Sequence, residues 1–139
     1  MKRKYLGVMA GLLIGTAVMA ALDATLLQNA VMLAPQVQAE AGVLNGPSVD
    51  KMPFTGVGSI VISVGTPGTN EGFAVTFQVQ HAPNSTGTFV NVTGKTATRT
   101  TAGVSVIPYD FTSGHRYLRL VATTTNDVAP IAATINSYK

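Results

Sequence analysis

His81 and His115, with the carboxylates Asp50, Glu71, Asp110 and Asp127, are the residues between 43 and 139 whose types could do chemistry. A metal site needs several such ligands at short, regular spacing, and no pair here has it. A nucleophilic triad needs an acid-oriented histidine and a nucleophile on a tight, strained turn. Asp110 and His115 are near each other in sequence only because Phe111-Thr112-Ser113-Gly114 turns the chain between them, and no Gly-x-Ser-x-Gly elbow occurs. Paired acids for glycoside hydrolysis would have to come from four carboxylates that each fall in a loop or at a strand end. Gly65, Gly68 and Gly72 surround a turn, yet no helix follows to complete a phosphate cradle. The expectation is a non-enzymatic protein with no catalytic, cofactor-binding or metal-binding residue.

Composition narrows the function classes further. Only 11% of residues are charged and 46% are hydrophobic, against roughly 25% charged in an average soluble protein. A surface so poor in charge suits a protein packed against copies of itself, a partner or a membrane. Residues 43–139 carry Lys51, Lys95, Arg99, Arg116, Arg119 and Lys139 against Asp50, Glu71, Asp110 and Asp127. That surplus is too dilute for a nucleic-acid footprint. The absence of cysteine excludes disulfides, thiolate metal sites and cysteine nucleophiles. Asn84-Ser85-Thr86 and Asn91-Val92-Thr93 match the glycosylation acceptor pattern, which a Thr-rich chain produces by chance.

The elements that must position these residues have the period of strands. Ile60, Ile62 and Val64, then Phe73, Val75, Phe77 and Val79, alternate with residues of the other face. Shorter runs follow at Phe89–Thr93, Val104–Pro108, Tyr117–Ala122 and Ile131–Ile135. Turn residues such as His81-Ala82-Pro83-Asn84-Ser85-Thr86-Gly87 separate them. About six or seven short strands rich in Thr, Val and Ile predict an all-β fold, a single antiparallel β-sandwich of Ig-like or jelly-roll-like topology. Phe73, Val75, Phe77 and Val79 are expected to point inward, against an opposite sheet carrying Leu118, Leu120 and Ala122. Arg116 and Arg119, an odd number of residues apart, are expected on opposite faces of their strand, with pairing to Asp110 or Asp127 within the domain.

The N-terminal third reads differently. Lys2-Arg3-Lys4 precede an uncharged stretch from Tyr5 to Leu22, which has the outline of a signal peptide or of a short membrane anchor. Apolar residues continue through Leu26, Leu27, Val31, Met32 and Leu33. Residues 1–42 are therefore expected to form an apolar arm or helix, a possible signal or anchor. Residues 43–57, with Gly46, Pro47, Pro53 and Gly56, read as a breaker-rich linker, and 58–139 as the sandwich. On this reading Leu22, Leu26, Leu27, Val31, Met32 and Leu33 are the candidate partner-contact residues, left for another surface to cover.

Two blocks carry a family resemblance. Phe77-Gln78-Val79-Gln80-His81, a polar turn and Thr88-Phe89-Val90-Asn91-Val92 form one; His115-Arg116-Tyr117-Leu118-Arg119-Leu120-Val121-Ala122-Thr123 forms the other. Together with Asp23-Ala24-Thr25-Leu26-Leu27-Gln28, they resemble small β-sandwich capsid decoration (cement) proteins of tailed bacteriophages. The resemblance covers about 60 residues, and the Ala82-Pro83-Asn84-Ser85 turn departs from the more acidic one expected of that family. It implies a virion protein on the capsid surface, with the major capsid protein and its own copies as partners, no nucleic acid and no cofactor. Attachment would come from apolar contact and strand addition repeated over many copies. The alternative class is an exported or membrane-anchored β-sandwich that binds a polymer or forms a surface filament.

Overall fold

The computed structural model describes residues 27–37, 41–68, 72–125 and 129–138. Among them are nine strands: β1 (Leu27–Val37), β2 (Gly42–Asn45), β3 (Val49–Asp50), β4 (Val57–Val64), β5 (Ala74–Ala82), β6 (Val90–Arg99), β7 (Gly103–Asp110), β8 (Tyr117–Thr125) and β9 (Pro130–Tyr138). They form two antiparallel sheets, one in the order β1-β9-β4-β7 and the other β2-β8-β5-β6, with β3 also paired to β8. The all-β sandwich expected from the sequence is the fold.

Alternation decides the core. Phe73 and, along β5, Val75, Phe77 and Val79 are buried, while Thr76 between them is exposed. Ile60, Ile62 and Val64 of β4 and Ile131, Ala133 and Ile135 of β9 fill the facing layer. Burial of this aliphatic surface supplies most of the driving force. One pairing differs from expectation. β8 lies beside β5 in the same sheet, with Phe77 opposite Ala122 and Val79 opposite Leu120. Leu118, Leu120 and Ala122 point inward as expected, but the sheet facing Phe77 is the one built from β4, β7 and β9. Parity along a strand tells which face is buried, not which neighbour the strand takes.

The boundary drawn at residue 58 is also corrected. β1 is a full edge strand of the sandwich, running antiparallel to β9 with Leu27 opposite Tyr138. Consecutive Met32 and Leu33 are both buried, at 0% and 2% exposure, because the register slips between Val31 and Leu33. A bulge of this kind turns two successive side chains the same way. The stretch 43–57 is not a linker either. Leu44 and Val49 pack on the core, Phe54 belongs to it, and β2 and β3 hydrogen-bond to β8. Residues 1–26, including Leu22 and Leu26 and the first part of the segment 1–42 expected as an arm, lie outside the described residues.

Each rim of the two sheets is interrupted. β1 has two register shifts and Pro35. β7 carries Pro108, whose carbonyl accepts from Lys95 Nζ at 2.6 Å. β6 swells opposite Val79, where residues 92–95 bulge between Asn91 and Thr96 around Gly94, whose φ of 70° lies in the left-handed region that glycine takes easily. Gln78 Nε2 donates to the carbonyls of Val92 and Lys95 at 3.1 and 3.4 Å, satisfying acceptors the bulge leaves without ladder partners. β2 and β3 are short and separated by Gly46-Pro47. Bulges, prolines and lysines at edges oppose pairing with another chain, so strand addition, expected above as a mode of attachment, is disfavoured.

Candidate functional site

Asp50, Lys51, His81, Asp110, His115 and Arg116 gather at one pole of the sandwich, where β3, the β5 end and the β7–β8 turn meet. Arg116 grips Asp50 through Nη2–Oδ2 at 2.6 Å and Nε to both oxygens at 3.1 Å. These bonds, and one from the Met52 amide at 3.0 Å, hold the Asp50 carboxyl below its ordinary range. Asp50, rather than Asp110, is thus the partner of Arg116 among the described residues; Asp127 lies outside them. Lys51, buried at 7% exposure, donates from Nζ to the carbonyls of Ser113 and of Gly114, the latter at 3.2 Å. Burial pushes its pKa down, partly offset by Asp110. Asp110 Oδ1 accepts from Thr112 N at 2.9 Å and Oγ1 at 2.6 Å, which fixes the turn and lowers its carboxyl pKa.

The two histidines are neighbours, their ring centroids 4.6 Å apart. His81 Nδ1 accepts the His115 backbone N–H at 3.3 Å, so its proton resides on Nε2. The turn comes this close because Gly114, at φ 72°, has no Cβ; one built there would meet His81 Nδ1 at 2.6 Å. Phe54, Phe111 and Tyr109 stack beneath, with centroids 5.3 and 5.1 Å apart. A hollow of about 290 Å³ beside them is lined by Lys51, Met52, Phe54, Phe111, Thr112 and Arg116, with Gly114. The Lys51 ammonium and the Arg116 guanidinium in it each tie separate segments together. The cluster is a clamp that holds the pole's loops, and among the described residues no three His, Cys, Asp or Glu side chains come together.

That clamp has a measurable pH signature. Burial first, then the charges of His115 and Lys51, lower the pKa of His81. A histidine with a depressed folded-state pKa is protonated more readily when unfolded, so its contribution to stability is present at neutral pH. The contribution is lost as pH falls below about 6.5, down to the folded-state value. The melting temperature is expected to decline across that window in thermal scans, and His81→Gln to flatten the decline. A decline of equal slope in His81→Gln would assign it to other groups.

The solvent faces of the sheets are the remaining candidates. On the four-stranded sheet, Val31, Thr134, Val61 and Val106 lie in one row across all four strands. Ser63 and Val104 continue it on one side, Ser59 and Pro108 on the other. Val31, Val57, Val104 and Val106 are 52–71% exposed. On the other sheet, Arg119, Gln80 and Asn91 form a row across β8, β5 and β6. Arg119 Nε donates to Gln80 Oε1 at 2.7 Å, Gln80 Nε2 donates to Asn91 Oδ1 at 2.8 Å, and the guanidinium lies 4.5 Å over the Phe89 ring.

Of the six expected contact residues, Val31 is on a solvent face and Met32 and Leu33 are in the core. Leu27 opens β1. The rows just described were not found from sequence. Alternation with Phe77 and Val79 puts Gln78 and Gln80 on the other face, but their partners follow only from strand order.

No family model matches the chain, and no curated protein does. A solved structure titled "Crystal structure of PirA" is similar over 81% of this chain and 93% of that chain, at 16% identity and a TM-score of 0.44. A likeness of that degree carries no argument about function.

Proposed function

We propose that this chain is a structural virion protein that binds the outside of a phage capsid and stabilises it through contacts with capsid subunits and its own copies. The observation that supports this reading most is the face built around the uncharged Val31–Thr134–Val61–Val106 row. Four strands spaced about 4.8 Å apart and some eight residues long present about 400–500 Å². A stable two-body interface needs about 800 Å² from each partner. Such a face holds weakly once and firmly when many copies are arrayed on a lattice, which is the requirement on a cement protein. The two blocks that resemble decoration proteins contribute β5 and β8, hydrogen-bonded neighbours from Ala74–Thr125 to Ala82–Tyr117.

Mass spectrometry of purified virions tests this. The expected result is the chain ending in Lys139 with residues 19–41 attached, in many copies per particle. Absence from virions, or a mature protein starting after Ala20, Ala39 or Ala41, would favour the exported β-sandwich and sink the virion reading. Lys2-Arg3-Lys4 and the apolar run behind them are what keep that outcome in view.

A further inference from the structure

The hydrogen bonds of the Arg119–Gln80–Asn91 row have a fixed direction. A guanidinium only donates, so the bond from Arg119 Nε sets Gln80 with its oxygen toward β8. Its amide nitrogen must then face β6, where it donates to Asn91 Oδ1, and the Asn91 amide nitrogen is turned outward. The hydrogens left over are all donors: the Nη1 and Nη2 pairs of Arg119, the second Nε2 hydrogen of Gln80 and the Nδ2 hydrogens of Asn91. Stacking on Phe89 holds the guanidinium in place before any ligand arrives. Asp50, opposite Tyr117 on this face, is a carboxylate already held by Arg116; on the other side of the row come Val121, Gln78 and Thr96, then Thr123, Thr76 and Thr98.

We propose that this row is a docking site for a carboxylate on an extended acidic segment of a protein partner. The free guanidinium edge accepts a carboxylate through two parallel bonds, and the flanking amide donors take the segment's backbone carbonyls. An acidic saccharide fits less well. Its hydroxyls donate as well as accept, and the two acceptors of the row, Gln80 Oε1 and Asn91 Oδ1, each already receive a hydrogen bond, whereas its donors outnumber them. The inference rests on reading the chain as a protein-binding module, and it supplies the chemistry of the contact.

Fluorescence anisotropy of labelled poly-L-glutamate against the full chain at low salt tests it, with poly-L-glutamine, polygalacturonate and dextran sulfate as comparison polymers. Poly-L-glutamate is expected to bind and poly-L-glutamine not. Arg119→Gln should weaken binding about tenfold or more. Asn91→Asp, at an exposed position that leaves the core intact, should weaken it by a similar factor. Arg116→Gln, a change to a cation already paired with Asp50, should have little effect. Equal losses for Arg116→Gln and Arg119→Gln would mean diffuse charge attraction and overturn the proposal. So would no binding, or binding of polygalacturonate or dextran sulfate as tight as that of poly-L-glutamate. Virion attachment separates this inference from the functional reading. Arg119→Gln chains that still decorate particles fully would sink the site and leave the reading standing. A site that passes on a chain absent from virions would do the reverse.

Discussion

Deleting residues 1–38 is expected to abolish the cooperative thermal transition of this protein. The deletion removes β1, which runs beside β9 through most of its length, and with it the fully buried Met32 and Leu33. Each of those side chains contributes about 1.5–3 kcal/mol of burial. The cut also uncovers the β9 layer of Ile131, Ala133 and Ile135 and strands the backbone groups of its ladder. Together these losses reach the roughly 5–15 kcal/mol that holds a domain of this kind together. In the full chain, Met32→Ala should cost about 2–5 kcal/mol, and Val31→Ala, one residue earlier and on the solvent face, less than about 1 kcal/mol. Calorimetry of the deletion and urea melts of the two variants would check the series. A truncated chain that still melted cooperatively would mean β1 is an accessory strand.

Phe77→Ala is the second large effect. Among the described residues Phe77 is the largest fully buried side chain, at 0% exposure, and it sits mid-strand between β8 and β6. Its truncation should cost about 3–5 kcal/mol through lost burial and the cavity left behind. Thr76→Ala, one position away, removes a hydroxyl that meets Thr98 Oγ1 at 3.1 Å on the exposed face, and should cost less than about 1 kcal/mol. Equal losses in urea melts would mean that both faces of β5 are covered.

The contrast between β5 and β1 shows what sequence pattern could and could not deliver. β5 has strict alternation of its two faces, so period alone puts Phe77 inward and Thr76 outward. In β1 the bulge places Met32 and Leu33 on one side, breaking the period just where the strand buries most. The apolar run behind it blurred the start of the strand, and Gly46, Pro47 and Pro53 disguised β2 and β3 as linker. Those short strands exist because β8 offers them a rim, a tertiary fact that local propensity does not contain. The candidate surfaces were half legible. Outward parity could be assigned to Val61, Gln80 and Arg119, but a row across a sheet depends on strand order and register. Asp50 escaped as the partner of Arg116 for the same reason, since 66 residues separate them.

The pairing of Leu27 with Tyr138 has a practical side. Antiparallel partners sit about 5 Å apart at their Cα atoms, so the strands that open and close the sandwich do so side by side at one pole. A linker of a few residues could join them, and the exposed Pro83–Thr86 turn is a natural place to open the ring into a permuted chain. Cargo joined directly to Leu27 in a shortened chain, or after Tyr138, would be tethered at that same pole.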